Sequence, residues 1–546
     1  MTKQVLHFSD AGAHRNNRAQ MRKSPVAKVV AVAAVAALAS SVLAACGSSG
    51  SGTKDFGVAA GEAPQDISLV VRNDVDTFDP PLTAAETGAT QMYEAIYDTL
   101  IRLNLKTKEL EPGIAKSWKV TPIKADFVLK DGLKCSDGSD LKPTDVARSI
   151  ERLADPKTGS VYTGRVFGPA GVKAVTADNA KNTLSVILNA PHSDLMDGLR
   201  SAFIVCPKGL ADTKALATTP QGSGPYKIAK LKRGDSYELQ RWDSPAVESI
   251  KDLPAKLTIR VVTADSTRAN LFETGAADIV SVVGRDAGRL AKKHKPILGK
   301  ANGTDTLVFN QRPGFPAANE KVRRAVALAL DGGAYTKAAS FGVGKSVDTL
   351  YSPSQQCFRE SNGDLKPKFD LDKAKAELRD AGFGPDGKQL TLRLVGYDVQ
   401  NSGPDYVADA VRKLGIKVTV KNGTLAQFAG IIYGEMEPWD INVFPTISSS
   451  QTPYPNVTKF SSNLGEGGSY NFGRVHNPTY EALTQKVAGA EGAERCQLWG
   501  DAEAALLKNT DVVPLMWPVA DYFANGLTFE TIYRTIDLRT IRTVGK

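Results

Sequence analysis

Histidine and cysteine are scarce in this sequence, which contains five of each among 546 residues. Only His192, His294 and His476 lie beyond residue 14, and each is far from any other histidine. No Cys-x-x-Cys or His-x-x-x-His spacing occurs, which argues against a preformed zinc site. We therefore expect neither a metal nor a cofactor.

Motifs of the common catalytic classes are also missing. Residues 342–346 end like a phosphate-binding loop, but Ala339 stands where that pattern requires Gly. The Gly-Ser-Gly at 222–224 does not complete the G-x-S-x-G of a nucleophile elbow. These absences favour a binding protein over an enzyme. An exported hydrolase of cell-wall material is the alternative, because paired carboxylates meet only in space.

Positive charge is concentrated at the start of the chain. The formal net charge is +9, but residues 1–45 hold six Lys and Arg against one acid, Asp10. The remainder has 62 basic and 58 acidic residues, a balance of +4, which gives no indication of nucleic-acid binding. The 42% apolar and 23% charged composition is that of a globular protein. The length predicts several domains or two large lobes.

The N-terminus has the layout of a secretory signal. Basic residues precede an uncharged run, Val29–Ala45, that ends in small residues. A permanent membrane helix is the alternative, although seventeen residues is at the short limit for a span. The stretch 43–46, Leu-Ala-Ala-Cys, resembles the lipobox of bacterial lipoproteins. We expect 1–45 to be a signal peptide (with Met1 or Met21 as its start) and lipid on Cys46 to anchor a flexible linker, 46–65, to the outer face of the cell membrane.

Four cysteines follow Cys46, an even number that permits two disulfides in an exported protein. Cys135 and Cys206 lie in one half of the chain, and Cys357 and Cys496 lie in the other. Pairing within each half is the expected connectivity. Four free thiols are the alternative.

The second half of the chain reads as α/β. Asn319 and Asp370 each precede an apolar stripe with helical spacing and are predicted N-caps. A strand at 390–394, a helix near 404–414 and a strand at 416–420 follow. A strand, a helix and a strand within about 32 residues predict a parallel βαβ unit. In the first half, a helix beginning at Pro143 and strands at 183–188 and 255–262 are predicted.

Several short segments, in this order, resemble the extracytoplasmic solute-binding proteins, family 5, of ABC importers, the group that binds oligopeptides, dipeptides and nickel. They are 77–80 (TFDP), 96–100 (IYDTL), 111–118 (EPGIAKSW), 127–134 (FVLKDGLK), 143–146 (PTDV), 222–226 (GSGPY), 273–279 (ETGAADI), 309–310 (FN), 322–325 (VRRA), 329–331 (ALD) and 370–382. The resemblance spans nearly all of residues 66–520.

The resemblance implies an α/β fold with two lobes that close like a clamp about a hinge. Lobe I would comprise 66–300 and resume over 511–546, and lobe II would comprise 301–510. The implied function is capture of peptide-like solutes outside the cytoplasm and their delivery to an ABC permease and ATPase. We expect a monomer that binds no nucleic acid and catalyses no reaction. A ligand-sensing lipoprotein is the alternative role.

Candidate ligand contacts follow from the resemblance and from the aromatic residues at predicted strand ends and loops. They are Glu86 and Thr87 in an expected loop at 85–88, and Asn310, Tyr397, Trp439, Phe444 and Ser448, with Tyr454 and Trp517 as further aromatics. Packing in the core is the alternative for the five aromatics, and a solvated loop position is the alternative for Glu86. Dipeptide binders of the family hold the peptide's amino group with an Asp near the position of Ser448, and they place an Arg within the stretch matching 396–401. This chain has neither. An unpaired buried charge is costly, so a longer peptide or a non-peptide solute (an oligosaccharide, siderophore or metal chelate) is expected instead of a dipeptide.

Overall fold

The computed structural model describes residues 56–83, 86–246, 252–301, 303–384, 387–397, 400–434, 436–448, 451–462, 471–518, 521–532 and 535–545. The predicted signal peptide and Cys46 lie outside the described residues. Among the helices that are described, none combines the length and the apolar character that crossing a bilayer requires.

The strands are listed here in chain order. They are β1 (Asp66–Val71), β2 (Ile101–Leu103), β3 (Leu110–Pro112), β4 (Ala115–Thr121), β5 (Lys124–Leu129), β6 (Val172–Asp178), β7 (Thr183–Leu188), β8 (Tyr226–Lys232), β9 (Ser236–Arg241), β10 (Lys256–Val261), β11 (Ile279–Val282), β12 (Ile297–Leu298), β13 (Gly303–Phe309), β14 (Lys345–Ser346), β15 (Thr391–Tyr397), β16 (Lys417–Gly423), β17 (Ile441–Ile447), β18 (Val512–Trp517), β19 (Asp521–Ala524), β20 (Leu527–Thr528), β21 (Thr531–Ile532), β22 (Thr535–Ile536) and β23 (Arg542–Thr543).

The helices surround these strands. They are α1 (Glu86–Ile96), α2 (Pro143–Ala154), α3 (Thr163–Phe167), α4 (Leu195–Leu199), α5 (Pro207–Ala211), α6 (Thr213–Leu216), α7 (Asp265–Glu273), α8 (Gly284–Leu290), α9 (Glu320–Leu328), α10 (Gly332–Ser340), α11 (Leu371–Asp380), α12 (Gly403–Arg412), α13 (Leu425–Ile432), α14 (Val457–Phe460), α15 (Pro478–Val487) and α16 (Gly492–Lys508).

Two large mixed sheets organise the fold, as expected for an α/β clamp. The first has the order β12-β19-β11-β1-β10-β9-β8, and the second has the order β14-β18-β13-β17-β15-β16. Successive residues of β13 show that the second sheet is covered on both faces. Leu307 and Phe309 pack into one apolar cluster with α9 and α12, whereas Val308 packs into another with α13 and α16, because side chains alternate between the faces of a strand.

The predicted βαβ unit is present as β15, α12 and β16, and the two strands pair in parallel from Thr391 opposite Lys417 to Tyr397 opposite Gly423. Both predicted N-caps are also present. The Asn319 side chain accepts a hydrogen bond from the Lys321 amide, and that of Asp370 accepts one from the Lys373 amide. The second half of the chain therefore has the local structure that its sequence predicts.

A third sheet, β4-β5-β7-β6, is antiparallel and is inserted in the first half of the chain between β1 and β8. Its core contains Phe127, Val186 and, from the predicted helix α2, Val146 and Ile150. The prediction of a strand at 183–188 matches β7. The local sequence patterns do not predict that these strands form a separate sheet.

The boundary expected at residue 511 differs from the structure. Strand β18 pairs with β13 in the second sheet, so the chain returns to the first sheet between Trp517 and Asp521. The loop expected at 85–88 is also wrong, because α1 begins at Glu86. The backbone of Glu86 and Thr87 forms its first turn, and the side chains of both lie outside what the structure describes.

The disulfides join Cys135 to Cys206 and Cys357 to Cys496, which is the expected pairing. The first bond is buried within the core of the third sheet. The second lies at half-buried positions and connects the loop after β14 to α16.

Removing the Asp370 cap tests how much local sequence contributes to α11. We expect Asp370→Ala to lower the free energy of unfolding by about 1 kcal/mol, because the amide of Lys373 loses its side-chain acceptor. Urea unfolding followed by circular dichroism measures the change. Lys375→Ala, an exposed change within the same helix, is the control and should shift the midpoint much less.

Candidate functional site

Two short segments carry the chain between the large sheets. Strand β12 of the first sheet ends at Leu298 and β13 of the second begins at Gly303; β18 ends at Trp517 and β19 begins at Asp521. We call the part built on the first and third sheets lobe I and the part built on the second sheet lobe II. A hinge between the lobes would lie at these two crossings, which join Leu298 to Gly303 and Trp517 to Asp521.

The carboxyl ends of the parallel strands in both lobes meet at these crossings. In lobe I, β1 runs parallel to β10 and β11, and Val282 at the end of β11 lies opposite Asp521. In lobe II, β15 is parallel to both β16 and β17, and β18 has the same direction because β13 is antiparallel to β17 and β18 alike. Open α/β sheets bind ligands beyond the carboxyl ends of their strands. The region between the two carboxyl edges, which we call the cleft, is therefore the candidate site.

Asn310 and Trp439 lie at the wrong edge for this site. Asn310 follows β13 at its carboxyl end, where Phe309 pairs with Ile441 at the start of β17. Its amide donates to the Trp439 carbonyl at 2.8 Å, and the Trp439 side chain is only 2% exposed. Seven residues of strand, about 20 Å, separate this edge from the cleft. The structure thus makes both residues part of the lobe II core, contrary to the expectation of ligand contact.

Tyr397, Ser448 and Trp517 lie at the carboxyl edge of lobe II, at or just after the ends of β15, β17 and β18. Tyr397 is half-buried, with its ring centroid 6.0 Å from that of Phe428, which stacks on half-buried Phe444 at 5.9 Å. The Ser448 hydroxyl donates to the Thr452 carbonyl at 2.7 Å and accepts from its amide at 3.1 Å. Tyr397 and Phe444 therefore remain candidate contacts, whereas Ser448 closes a turn.

Two polar groups at the same edge are buried without a hydrogen-bond partner among the described residues. They are the indole Nε1 of Trp517, and Nε2 of Gln400, a side chain that is 3% exposed. The Lys345 ammonium lies 5.2 Å from the centroid of the Trp517 ring, and the Tyr397 amide donates to Gln400 Oε1 at 3.4 Å. A buried donor without an acceptor is costly, so a bound solute that supplies oxygen acceptors would satisfy both groups.

The carboxyl edge of lobe I is held by Arg268, which is 1% exposed. Its guanidinium donates to the carbonyls of Val262, Thr263 and Ser281 at 2.6, 2.8 and 2.7 Å, and so joins the segments that follow β10 and β11. A small cavity of about 40 Å³ lies beside it. Sequence reasoning missed this residue, because nothing in its local pattern distinguishes it from a surface arginine.

Beside the cleft, the lobes contact each other through buried charges. Arg495 of α16 donates to Asp194 at 2.6 Å and to Asp197 at 3.4 Å, and it donates to Gln356 at 2.9 Å. Gln356 in turn donates to Asp197 at 2.7 Å. Burial raises the pKa of Asp197, an effect opposed first by Arg200. No local pattern in the sequence marks these residues, although two of them adjoin the predicted disulfide Cys357–Cys496.

The chain is similar to proteins of a known family. A family model described as "Bacterial extracellular solute-binding proteins, family 5 Middle" matches residues 109–467. The chain is 22% identical over 468 residues to the glutathione-binding protein GsiB of Escherichia coli (strain K12), covering 83% of this chain and 89% of that protein.

Solved structures agree in fold. A substrate binding protein from Microbacterium hydrocarbonoxydans, complexed with 4-hydroxybenzoate hydrazide, has a TM-score of 0.70 and 27% identity, with coverage of 88% of this chain and 100% of that one. NikA from Brucella suis, in complex with Fe(III)-EDTA, has a TM-score of 0.76 and 20% identity, with coverage of 88% and 99%.

Proposed function

Because the chain belongs to family 5 of the bacterial extracellular solute-binding proteins of ABC importers, we propose that it captures a peptide-like solute between its two lobes and delivers it to a membrane permease. It acts outside the cytoplasm and is tethered through lipid on Cys46. Closure of the lobes about the crossings buries the solute. No bond of the solute is made or broken.

The two unpartnered donors at the carboxyl edge of lobe II, Trp517 Nε1 and Gln400 Nε2, carry this proposal. Carbonyl or carboxylate oxygens of a peptide are suitable acceptors for both. Gln400 belongs to the stretch in which dipeptide binders place an Arg, and a neutral amide there leaves the charge of a buried carboxylate uncompensated, which favours a carbonyl as its partner. This preference supports a longer peptide, held through its backbone, over a dipeptide.

Native mass spectrometry of the protein purified without denaturation from its own host tests the proposal. A co-purifying mass that fragments as a peptide is the expected result. A sugar or metal-chelate mass would contradict the peptide assignment while leaving solute capture intact. Small-angle scattering is expected to show a smaller radius of gyration when that solute is added back, and an unchanged curve at saturation would contradict closure.

Removing the indole donor of Trp517 should weaken binding while an aromatic ring remains at this position. We expect Trp517→Phe to reduce the affinity for the co-purified solute about tenfold, the usual effect of one lost hydrogen bond. Isothermal titration calorimetry measures it. Trp439→Phe removes a tryptophan at the opposite edge of the sheet and is the matched control. Equal losses of affinity in Trp517→Phe and Trp439→Phe would mean that the solute does not contact the Trp517 indole.

A small aromatic amide is the second candidate solute. The half-buried rings of Tyr397 and Phe444 lie on the strands whose carboxyl ends line the cleft, and flat rings stack well on such surfaces. The Microbacterium hydrocarbonoxydans protein, complexed with 4-hydroxybenzoate hydrazide, is 27% identical to this chain. Titration with that hydrazide and with glutathione as probes distinguishes the two classes. Tyr397→Ala should weaken binding of the hydrazide more than binding of the peptide glutathione.

A further inference from the structure

Each cysteine of the bond Cys357–Cys496 is the chain neighbour of a residue that contacts the opposite lobe. Gln356 precedes Cys357, and Arg495 precedes Cys496. Both residues belong to lobe II, and both donate hydrogen bonds to Asp197 of lobe I. Their own mutual hydrogen bond, 2.9 Å long, spans the same gap as the disulfide. The covalent bond therefore fixes the spacing of the two groups that dock on lobe I.

The docking contact depends strongly on that spacing, because it is buried. Asp194 and Asp197 are 1% and 5% exposed, and Arg495 is 9% exposed. Arg200 of lobe I also pairs with Asp197, at 3.1 Å. When Arg495 moves away, two buried carboxylates keep a single guanidinium partner between them, and such a loss is costly. Separation of the lobes then exposes the two carboxylates to water and lowers this cost.

The two disulfides differ in access to solvent. Cys135 and Cys206 are 1% and 0% exposed, whereas Cys357 and Cys496 are half-buried. Cys357 also has a φ of 60°, in the left-handed region that a non-glycine residue rarely adopts. Because thiol–disulfide exchange requires access to a sulfur atom, a reductant reaches the lobe II bond first. Loss of this disulfide also removes the constraint on the backbone of Cys357.

We propose that Cys357–Cys496 is a redox-sensitive positioning bond, which holds Gln356 and Arg495 in place for docking on Asp194 and Asp197. Reduction breaks the S–S bond and forms two thiols. The two electrons and two protons come from a dithiol, which becomes a disulfide. The docking contact then loosens. Any effect of this loosening on solute capture rests on the proposed function, whereas the docking contact between the lobes does not.

Hydrogen exchange of the full chain, without added solute, tests this inference. The readout is the lobe I peptide that spans α4, at 192–203, because a change confined to lobe II would not alter its exchange. Cys357→Ser with Cys496→Ser is expected to make α4 exchange about tenfold faster, in line with the loss of one coupled ion-pair network. Mild treatment of the wild type with dithiothreitol should have the same effect.

Matched variants separate docking from general damage. Arg495→Met, with the disulfide intact, should reproduce the faster exchange, and Arg495→Lys should restore part of the protection. Arg359→Met is the control, because Arg359 binds Asp501 and the Gln497 carbonyl of the same helix, within lobe II alone.

Two results would overturn the inference. Unchanged α4 exchange in Arg495→Met would show that the docking contact does not hold the lobes together. Faster exchange in Arg495→Met but not after reduction would show that the disulfide does not position the contact. If Cys357→Ser with Cys496→Ser fails to fold, reduction of the wild type alone shows whether the disulfide positions the contact. Neither result depends on the identity of the solute, so solute capture stands or falls separately.

Discussion

Replacement of Arg323 by Met is expected to destabilise lobe II by about 3–5 kcal/mol, the range for removing one partner of a buried ion pair. Arg323 is 5% exposed. Its guanidinium donates to the carbonyls of Asn509 and Thr510 at 2.9 and 3.0 Å, and to Asp511 at 3.3 Å. It also donates to the carbonyls of Ala317 and Ala318. Met fills similar space but removes all of these donors, and the buried Thr510 carbonyl and Asp511 carboxylate each lose a hydrogen bond from the guanidinium.

The adjacent arginine provides the control for this prediction. Arg324 has a side chain that is 39% exposed and pairs with Glu377 at 3.0 Å. Arg324→Met should cost about 1 kcal/mol or less, as for exposed ion pairs. Urea unfolding followed by tryptophan fluorescence compares the two variants. Equal costs would mean that helix propensity or net charge, and not the buried network, explains the loss in Arg323→Met.

Local sequence predicted the elements of lobe II well because their signals are short-range. Asn319 and Asp370 cap helices through side-chain contacts two and three residues away. The alternation in 391–394 and 417–420 indicates strands without knowledge of their partners. The boundary at 511 was wrong because Val512–Trp517 is a strand whichever sheet it joins. Its pairing with β13 is a contact across about 200 residues, and local pattern carries no information on it.

The candidate site was predictable in part for the same reason. Tyr397 and Phe444 are on the strands that lead to the cleft, but Asn310 and Trp439 are at the opposite edge, since β13 is antiparallel to β17. Strand direction within a sheet decides which end faces the cleft, and single-strand patterns do not reveal it. Likewise, Asp194 and Arg495 lie 301 positions apart in sequence. Their pairing required the packing of one lobe on the other.

A buried carboxyl in lobe II should make stability depend on pH near neutrality. Glu503 is fully buried in α16, where one oxygen accepts from the amides of Leu350 and Tyr351 at 2.7 and 3.2 Å. The other accepts from the Asn362 amide at 2.6 Å. Burial raises the pKa of Glu503 to about 7, although these donors act in the opposite direction. The folded state thus holds a proton that the unfolded chain has already lost.

The sign of the effect follows from that proton. Between pH 4.5 and 7 the folded state binds more protons at Glu503, so its contribution is complete below the unfolded pKa and is lost as pH rises through about 7. The loss is about 3 kcal/mol, from the difference between the ordinary pKa of 4.5 and the folded pKa of about 7. The contribution of Glu503 is measured as the difference in unfolding free energy between the wild type and Glu503→Gln at each pH. Gln is suitable because it keeps an acceptor for the amides of Leu350 and Tyr351. Glu494→Gln, an exposed change on the same helix, should retain the wild-type slope, and a flat difference for Glu503→Gln would show that this carboxyl is ionised throughout the range.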